Sequence, residues 1–209
     1  MYNLPYFKAD EQQEVLEFMH KHTFITLCGC DANNKPVATH VPVLIEEKQG
    51  KLFLTGHIMR QTDHHKAFTE SKNVLAIFTG PHTYVSASWY VNKQQGSTWN
   101  YLTVHAQGEL TFLDEPALLD VLAKLTAHYE NDDESPSLMN KLPDEYVQRL
   151  IKAIVAFEIE VKEVDHVFKL SQNRDEESYK NIIQKLQQGD SDAQQVALLM
   201  QQRIQENVS

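Results

Sequence analysis

The sequence predicts an α+β protein built around a small antiparallel β-barrel, closed or nearly closed, with helices packed on its outside. About seven stretches show the period-two alternation or the continuous apolar run of β-strands, and few helices separate them. This order favours an antiparallel sheet, because parallel strands need a long, usually helical, crossover between them. A long alternating stretch over 102–112, combined with hairpin turns elsewhere, favours a barrel.

The first part of the chain contains one helix followed by strands. Asp10 is placed to cap a helix that carries Val15, Phe18 and Met19 on one face and ends near His20. From Thr23 onward the pattern changes to that of strands. The predicted segments are a strand starting at Phe24, a turn over 31–34, a strand over 37–45, a turn at Gln49–Gly50 and a strand over 51–57.

The remaining elements alternate strands with helices. In chain order they are a short helix within 58–72, a buried strand over 74–78, a break at Gly80–Pro81, a strand over 83–90, the long strand over 102–112, a helix starting at Asp114, a helix carrying Val147 to Ile154, a strand over 155–161 and a Gln-rich helix. We expect a single domain over 1–209, with a C-terminal helical extension from about 175 to 209.

Composition and charge narrow the class of protein. Hydrophobic residues make up 42% of the 209 residues and charged residues 23%, as in ordinary soluble proteins. The formal net charge of -10 argues against a broad surface for nucleic acid, since duplex binding depends on Lys and Arg. No apolar run approaches the roughly 18 residues of a membrane span. The N-terminus has no signal-peptide pattern, so we expect a cytoplasmic protein with no membrane partner.

A basic cluster stands out in this acidic chain. Its members are His57, Arg60, His64, His65, Lys66 and Lys72, against only Asp63 and Glu70. Such a cluster after a strand is able to receive a phosphate through charge-assisted hydrogen bonds. The alternative is a solvated basic helix, or surface ion pairs with the acidic remainder of the chain. A histidine metal site is a third interpretation, but it lacks a carboxylate or cysteine at a persuasive spacing, so we expect no metal. Motifs of Rossmann, P-loop and α/β-hydrolase proteins are absent.

Two further segments are candidates for a ligand site. The stretches Ser86–Tyr90 and Thr98–Tyr101 combine Trp and Tyr with hydroxyl and amide groups, which suits a planar ligand. They are equally typical of an aromatic plug at a barrel end. The polar string Lys169–Arg174 follows the last strand and is interpreted either as a helix entry or as a lid.

At these positions the sequence resembles the PaiB-like FMN-binding negative transcriptional regulators. The segments that carry the resemblance are Ala38–Pro42, Phe78–His82, Ser88–Tyr90, Thr98–Tyr101, Val104–His105 and Lys169–Arg174. The resemblance extends over nearly the whole chain. It implies an antiparallel split β-barrel with peripheral helices and a C-terminal helix, similar to the pyridoxamine-phosphate oxidases. Such proteins are homodimers with FMN between the subunits.

The resemblance also implies roles for individual residues. Thr39, His40, Val41 and Pro42 match the strand along the isoalloxazine ring, and Thr55 and Gly56 match the strand beside it. His57, Arg60 and Lys66 match the phosphate end, while Trp99, Asn100 and His105 match the part that approaches from the other subunit. Catalytic residues stay unassigned, although His40, His57 and His105 are candidates for proton exchange near the flavin. The family usually has Asn-Pro after the arginine, whereas Arg60 is followed by Gln61, Thr62 and Asp63, whose charge would repel a phosphate.

The sequence therefore predicts a homodimeric FMN-binding protein with a negative regulatory function by resemblance. Direct DNA binding is not expected, because the chain is acidic and shows no basic recognition helix. The alternative is an FMN-dependent oxidoreductase that uses NAD(P)H or another small-molecule donor. A flavin-free interaction module is a third class, which would leave the basic cluster as surface decoration.

Overall fold

A computed structural model describes residues 1–2, 4–9 and 12–206 of the chain. Asp10, the predicted cap of the first helix, lies outside the described residues. The helices are α1 Gln12–Lys21, α2 Asp63–Glu70, α3 Glu115–Glu130, α4 Asp144–Ala153, α5 Glu176–Leu186 and α6 Ser191–Glu206. The strands are β1 Phe24–Cys30, β2 Pro36–Pro42, β3 Leu44–Lys48, β4 Lys51–Met59, β5 Asn73–Val85, β6 Thr98–Phe112 and β7 Ile154–Lys169. The predicted α+β class is confirmed.

The strands form one sheet in the order β2-β1-β5-β6-β7-β4-β3. The pairs β1–β2, β1–β5, β3–β4 and β4–β7 are antiparallel. β2 and β3 stand at opposite ends of this order, yet only Val43 separates Pro42 from Leu44 in the chain. One residue spans at most about 3.6 Å, so the sheet must curl until its two ends meet at this corner. The predicted barrel-like sheet follows from this connection.

Val43 also corrects a prediction. The sequence suggested one strand over 37–45, but the structure divides that stretch into β2 and β3. Val43 is fully buried, and its N–H donates to the carbonyl of Thr23 at 2.9 Å. The apolar pattern continues through Val43 because that residue is itself part of the core, which is why periodicity alone did not show the division.

The predicted break at Gly80–Pro81 is wrong, because β5 runs without interruption from Asn73 to Val85. Gly80 does not have a positive φ, so the backbone continues as a strand. The register of β5 with β1 covers only Leu75–Ile77, and Pro81 lies beyond it. The N–H that proline lacks is therefore not needed for pairing with β1, which is the condition under which a strand tolerates proline.

Other elements agree with the predictions in type and differ in length. The alternation over 102–112 is confirmed, since Leu102, Val104, Ala106 and Leu110 are buried within β6. β7 is longer than the predicted 155–161. The single predicted C-terminal helix is two helices, α5 and α6, because the chain leaves the helical path after Leu186 and starts again at Ser191.

The chain divides into two compact units. The first, called the terminal unit, consists of residues 1–18, 79–104 and 165–209, and the second, called the central unit, consists of residues 19–78 and 105–164. In the central unit, Leu118, Val121, Leu122 and Leu125 of α3 form a buried cluster with the start of β7. In the terminal unit, the rings of Phe18 and Phe168 lie 5.0 Å apart, and the inner faces of α5 and α6 are buried.

None of the helices in the described part of the chain is long and apolar enough to cross a bilayer.

Candidate functional site

In the central unit, strand β4 carries three of the predicted site residues, Thr55, Gly56 and His57. Thr55 and Gly56 are buried, and His57 is half-buried. Gly56 pairs with Phe157 of β7. A Cβ at Gly56 would lie 2.8 Å from the carbonyl oxygen of Pro42 and 2.9 Å from Cζ of Phe157. Glycine is therefore required here, and it allows β4 to approach the end of β2.

The close approach of Gly56 and Pro42 brings together two segments that the resemblance assigned to neighbouring strands. β2 and β4 are not hydrogen-bonded neighbours, since β4 pairs with β3 and β7 while β2 pairs with β1. They meet because the sheet curls. Pro42 and Gly56 thus mark the corner of the central unit at which the two ends of the strand order adjoin.

His57 has a buried Nδ1 atom that forms no hydrogen bond within the described part of the chain. Burial lowers the pKa of His57 below its ordinary value of 6.5, because a charged imidazolium is poorly solvated there. The side chain is therefore a neutral imidazole at pH 7. A neutral ring nitrogen that is buried without a partner is costly unless a ligand or a water satisfies it.

Arg60 lies directly after β4 and is held by two hydrogen bonds. Its backbone N–H donates to the carbonyl of Ala153 at 2.9 Å, and its Nε–H donates to the carbonyl of Ile154 at 2.9 Å. These bonds orient the guanidinium while leaving its two terminal nitrogens for other partners. Among the described residues neither Arg60 nor Lys66 forms an ion pair, and both are exposed. Of the two alternatives, surface ion pairs are not seen for these cations among the described residues, whereas their exposure agrees with a solvated basic helix.

Thr62 begins the helix that carries Lys66. Its Oγ1 accepts the N–H of His65 at 3.2 Å and donates to the carbonyl of Met59 at 3.0 Å, so one hydroxyl caps α2 and ties it to the end of β4. Gln61, with a φ of 65°, forms the turn between β4 and α2. Residues Arg60 to Lys66 therefore form a hydrogen-bonded structure, here called the cationic turn. Its threonine cap is a conventional helix-start signal that sequence reasoning overlooked.

Phe68 fixes the other side of α2. Its ring lies where a side chain at Gly29 of β1 would stand, with Cε1 only 2.7 Å from the position of a Cβ. Phe68 is also almost fully buried. Because the buried Phe68 side chain holds α2 against β1, the cationic turn is attached to a packed helix.

His65 and Asp63 modify the charge of the cationic turn. His65 Nδ1 accepts the N–H of Gln61 at 3.3 Å. Burial lowers the pKa of His65, and the charges of Arg60, His64 and Lys66 lower it further. The negative charge of Asp63 was expected to repel a phosphate. Its Oδ1 accepts the N–H of His64 at 2.8 Å. That hydrogen bond lowers the pKa of Asp63, so the carboxylate stays ionised and interacts with His64 in the first turn of α2.

The β2 residues of the predicted site divide between two faces. Successive strand residues point to opposite sides, so Thr39 and Val41 share one face while His40 and Pro42 share the other. Val41 is buried, whereas His40 is exposed, contacts Thr26 Oγ1 through Nδ1 at 3.1 Å and stacks near Phe24. A planar ligand along β2 would therefore meet one pair of these side chains and the strand backbone.

In the terminal unit, β6 presents Trp99 and Asn100 in different ways. Trp99 is 53% exposed and lies against Tyr84, with ring centroids 6.0 Å apart. Asn100 is 0% exposed, and its Oδ1 accepts from Ser171 Oγ at 3.0 Å. The amide nitrogen of Asn100 contacts Met200 Sδ at 3.6 Å. Both polar groups of this side chain are thus in contact with protein atoms. His105, further along β6, is half-buried and belongs to the central unit.

No group of three His, Cys, Asp or Glu side chains in the described ranges is arranged to hold a metal ion. The cationic turn and His57 lie close in the chain of the central unit. Within the described residues they offer one oriented cation, Arg60, a second exposed cation, Lys66, neither in an ion pair, and one buried ring nitrogen of His57 that forms no hydrogen bond. Arg60 and Lys66 are suited to a phosphate. His57 is suited to a polar edge that donates or accepts one hydrogen bond.

The arrangement predicts a pH dependence of stability. Because burial lowers the pKa of His57 in the folded protein, the unfolded chain binds more protons as the pH falls below 6.5. The free energy of unfolding is therefore greatest above pH 6.5 and decreases toward the lower pKa of the folded state. In His57→Gln this dependence should be weaker, by at most about 1.4 kcal/mol per pH unit, the value for one proton.

Urea unfolding of both proteins between pH 5 and pH 8 measures this difference. The comparison above pH 7.5, where both proteins carry a neutral group, separates any packing defect of the variant from the titration. Equal pH dependence in the two proteins would contradict the assignment.

Comparison with known proteins places the chain in context. A family model described as "Putative FMN-binding domain" matches residues 1–163. The chain is 34% identical over 209 residues to Protease synthase and sporulation protein PAI 2 of Bacillus subtilis, and the match covers 100% of both proteins. An uncharacterised protein of Emericella nidulans is 27% identical over 172 residues, covering 65% of this chain and 68% of that protein.

Solved structures share the fold at low sequence identity. A conserved hypothetical protein of Mycobacterium tuberculosis has a TM-score of 0.57 at 13% identity and covers 80% of this chain and 90% of its own. A flavocytochrome of Azotobacter vinelandii also has a TM-score of 0.57, at 15% identity, with 86% of this chain and 78% of its own covered. An FAD and heme binding protein of Mycobacterium smegmatis has a TM-score of 0.54 at 13% identity and covers 77% and 72%. The predicted split-barrel fold is confirmed.

Proposed function

The chain belongs to this family of FMN-binding domains, and on that premise we propose that it binds FMN at the cationic turn and at His57 of the central unit. One observation carries the placement. Arg60 is oriented by hydrogen bonds to Ala153 and Ile154, yet it forms no ion pair among the described residues of an acidic protein. A cation oriented in this way suits a phosphate that supplies the missing charge.

The residues of the site fit the rest of the cofactor. The unpartnered Nδ1 of His57 offers one hydrogen bond to a polar edge, and the neutral state of this imidazole leaves it able to donate or accept. Because residue 56 is glycine, the β4 backbone lies directly against the end of β2 at Pro42. β2 stands at an end of the strand order, so the backbone groups on its outer edge are free of strand pairing and suit a planar ring.

When bound, FMN supplies hydride or single-electron transfer at its ring. The chain's own residues hold and orient the cofactor. Arg60 and Lys66 bind the phosphate, and His57, a neutral imidazole because burial lowers its pKa, holds a hydrogen bond to the cofactor. Asn100 acts as a positioning residue in this proposal, because its buried bond to Ser171 fixes the strand that presents Trp99.

The proposal predicts that Arg60→Gln combined with Lys66→Gln weakens FMN binding by about two to four decades, if the two effects add. The reason is that each charge-assisted contact contributes roughly 1.5–3 kcal/mol. Riboflavin, which lacks the phosphate, should bind equally well to both proteins. Fluorescence titration of flavin measures both affinities.

Lys35→Gln is the matched control, since Lys35 is an exposed cation outside the cationic turn that is not part of any observed ion pair. It should leave both affinities unchanged. Equal losses for FMN and riboflavin in the double variant would show that the cationic turn does not hold the phosphate.

We further propose that the chain is a homodimer with FMN shared between subunits, and that the exposed Trp99 approaches the ring from the partner, while the fully buried Asn100 positions the strand that carries it. Each unit leaves large apolar side chains that a partner could cover, since Phe24 and Met59 of the central unit are 67% and 61% exposed and Trp99 of the terminal unit is 53% exposed. An isologous interface would provide two equivalent sites and would bury more than roughly 2,000 Å² in total.

A shared site predicts that dilution releases flavin together with dimer dissociation, and that added FMN restores the dimer by linkage. Sedimentation velocity followed by flavin absorbance measures both species at once. Trp99→Ala should lower dimer affinity and FMN affinity together, whereas Tyr146→Ala, an exposed aromatic on α4, should change neither. A monomer that retains stoichiometric FMN would exclude the shared site.

The regulatory function is part of the proposal and acts in the cytoplasm. The name of the Bacillus subtilis relative links that protein with protease synthesis and sporulation. Cys28 and Cys30 are free thiols, in agreement with a reducing compartment. The net charge of -10 favours a protein partner or a redox signal over direct contact with DNA.

An FMN-dependent oxidoreductase is the competing function, and one pair of measurements separates the two. A regulator without reductase activity should show no flavin bleaching with NADH or NADPH and bleaching with dithionite only. Rapid bleaching by either nucleotide, followed by reoxidation with an added acceptor, would favour the enzyme. Tight, sequence-selective binding in a gel shift at moderate salt would contradict the exclusion of direct DNA binding.

A further inference from the structure

The polar string Lys169–Arg174, of which the proposed flavin site uses only Ser171, forms a sharp turn after β7 in the terminal unit. Ser171 has a φ of 62°, and the N–H of Arg174 donates to the carbonyl of Ser171 at 3.0 Å. The side chain of Gln172 closes the turn, accepting from the N–H of Leu170 at 2.7 Å. This turn brings two cations, Lys169 and Arg174, onto one side of the terminal unit.

Both cations are partly buried against aromatic rings. The Arg174 Cζ lies 4.2 Å from the centroid of Tyr90, and the Lys169 Nζ lies 5.7 Å from the centroid of Phe7. Lys169 donates to the carbonyl of Trp99 at 2.6 Å and to the hydroxyl of Thr98, which leaves one of its three N–H groups. Burial and the charge of Arg174 lower the pKa of Lys169, a sign that the two cations act on each other.

Neither cation forms an ion pair within the part of the chain that the structure describes. The neighbouring carboxylate of Asp175 caps α5, accepting the N–H of Ser178 at 2.8 Å. Arg174 Nη1 donates to the side-chain oxygen of Gln95, a neutral partner. The direct hydrogen-bond partners of the two half-buried charges named here are neutral, and the one carboxylate shown to act on Arg174 electrostatically, Asp175, is engaged by the helix that it caps, so a further anion would stabilise the pair.

Two buried polar atoms beside this guanidinium and ring have no hydrogen-bond partner among the described residues. They are Arg174 Nε and the hydroxyl of Tyr90, a residue only 2% exposed. Both are able to donate a hydrogen bond. Unsatisfied buried donors beside unpaired cations are the complement of an oxyanion.

We propose that Tyr90, Lys169 and Arg174 form a binding site in the terminal unit for the carboxylate of a small organic acid. The N–H groups of the Arg174 guanidinium lie in one plane beside the Tyr90 ring, and a planar carboxylate is able to accept them side by side. The aromatic rings of Tyr90 and Phe7 suit an apolar body on the acid. The residues of this site belong to the terminal unit, whereas those of the cationic turn belong to the central unit.

Benzoate is the probe, and benzamide, of the same shape without the charge, is its control. Isothermal titration of the full-length, FMN-free protein should give saturable binding for benzoate and none for benzamide. Arg174→Gln should weaken benzoate about tenfold to a hundredfold, and Tyr90→Phe about twofold to tenfold. Arg149→Gln, which removes an exposed arginine on α4, should leave the affinity unchanged.

Tyr90→Phe removes only the hydroxyl and retains the ring beneath Arg174, so it keeps the test decisive if Arg174→Gln fails to fold. Benzoate affinity should stay the same in Arg60→Gln combined with Lys66→Gln, and it should be unaffected by saturating FMN. Competition between FMN and benzoate would overturn the proposal by assigning the two cations to the flavin site. The absence of benzoate binding, or binding of inorganic phosphate alone, would overturn it as well.

Discussion

The single residue Val43 between β2 and β3 imposes the constraint on which the central unit depends. These strands stand at opposite ends of the strand order, so a connection of one residue requires the sheet to curl until its ends meet. The curl places the carbonyl of Pro42 against Gly56, where no side chain fits. Replacing Gly56 by a residue with a Cβ would therefore push apart the two strands that the proposed cofactor site uses.

Charge placement follows from the same geometry. The chain is acidic, yet Arg60 leaves β4 in an orientation set by two backbone carbonyls at the junction of α4 and β7. Phe68 and the Thr62 cap hold α2 beside it. The positive charge at this corner is thus fixed by packing and backbone hydrogen bonds rather than by acidic partners, which leaves it able to bind an external anion.

In the terminal unit, cations are also held without a direct acidic partner among the described residues, but by aromatic rings and neutral oxygens. There the cations Lys169 and Arg174 rest on aromatic rings and on neutral oxygens, while Ser171 uses its hydroxyl to hold Asn100. Of the two interpretations of the string Lys169–Arg174, the helix entry is confirmed, since it turns directly into α5, which Asp175 caps. Within this segment, Ser171 forms the hydrogen bond to Asn100 of β6, whereas Lys169 and Arg174 carry the positive charge.

The sequence by itself determined the α+β class, most strands and helices, and the resemblance to FMN-binding proteins, because periodicity, caps and motif spacing are local properties. It also pointed to Arg60 and Lys66 through their contrast with an acidic chain. Only the tertiary structure decided that β5 continues through Gly80–Pro81, that Val43 divides two strands, and that Asn100 is buried against Ser171. Each of these depends on contact with residues distant in the chain, since strand pairing and burial are set by segments that local patterns do not identify.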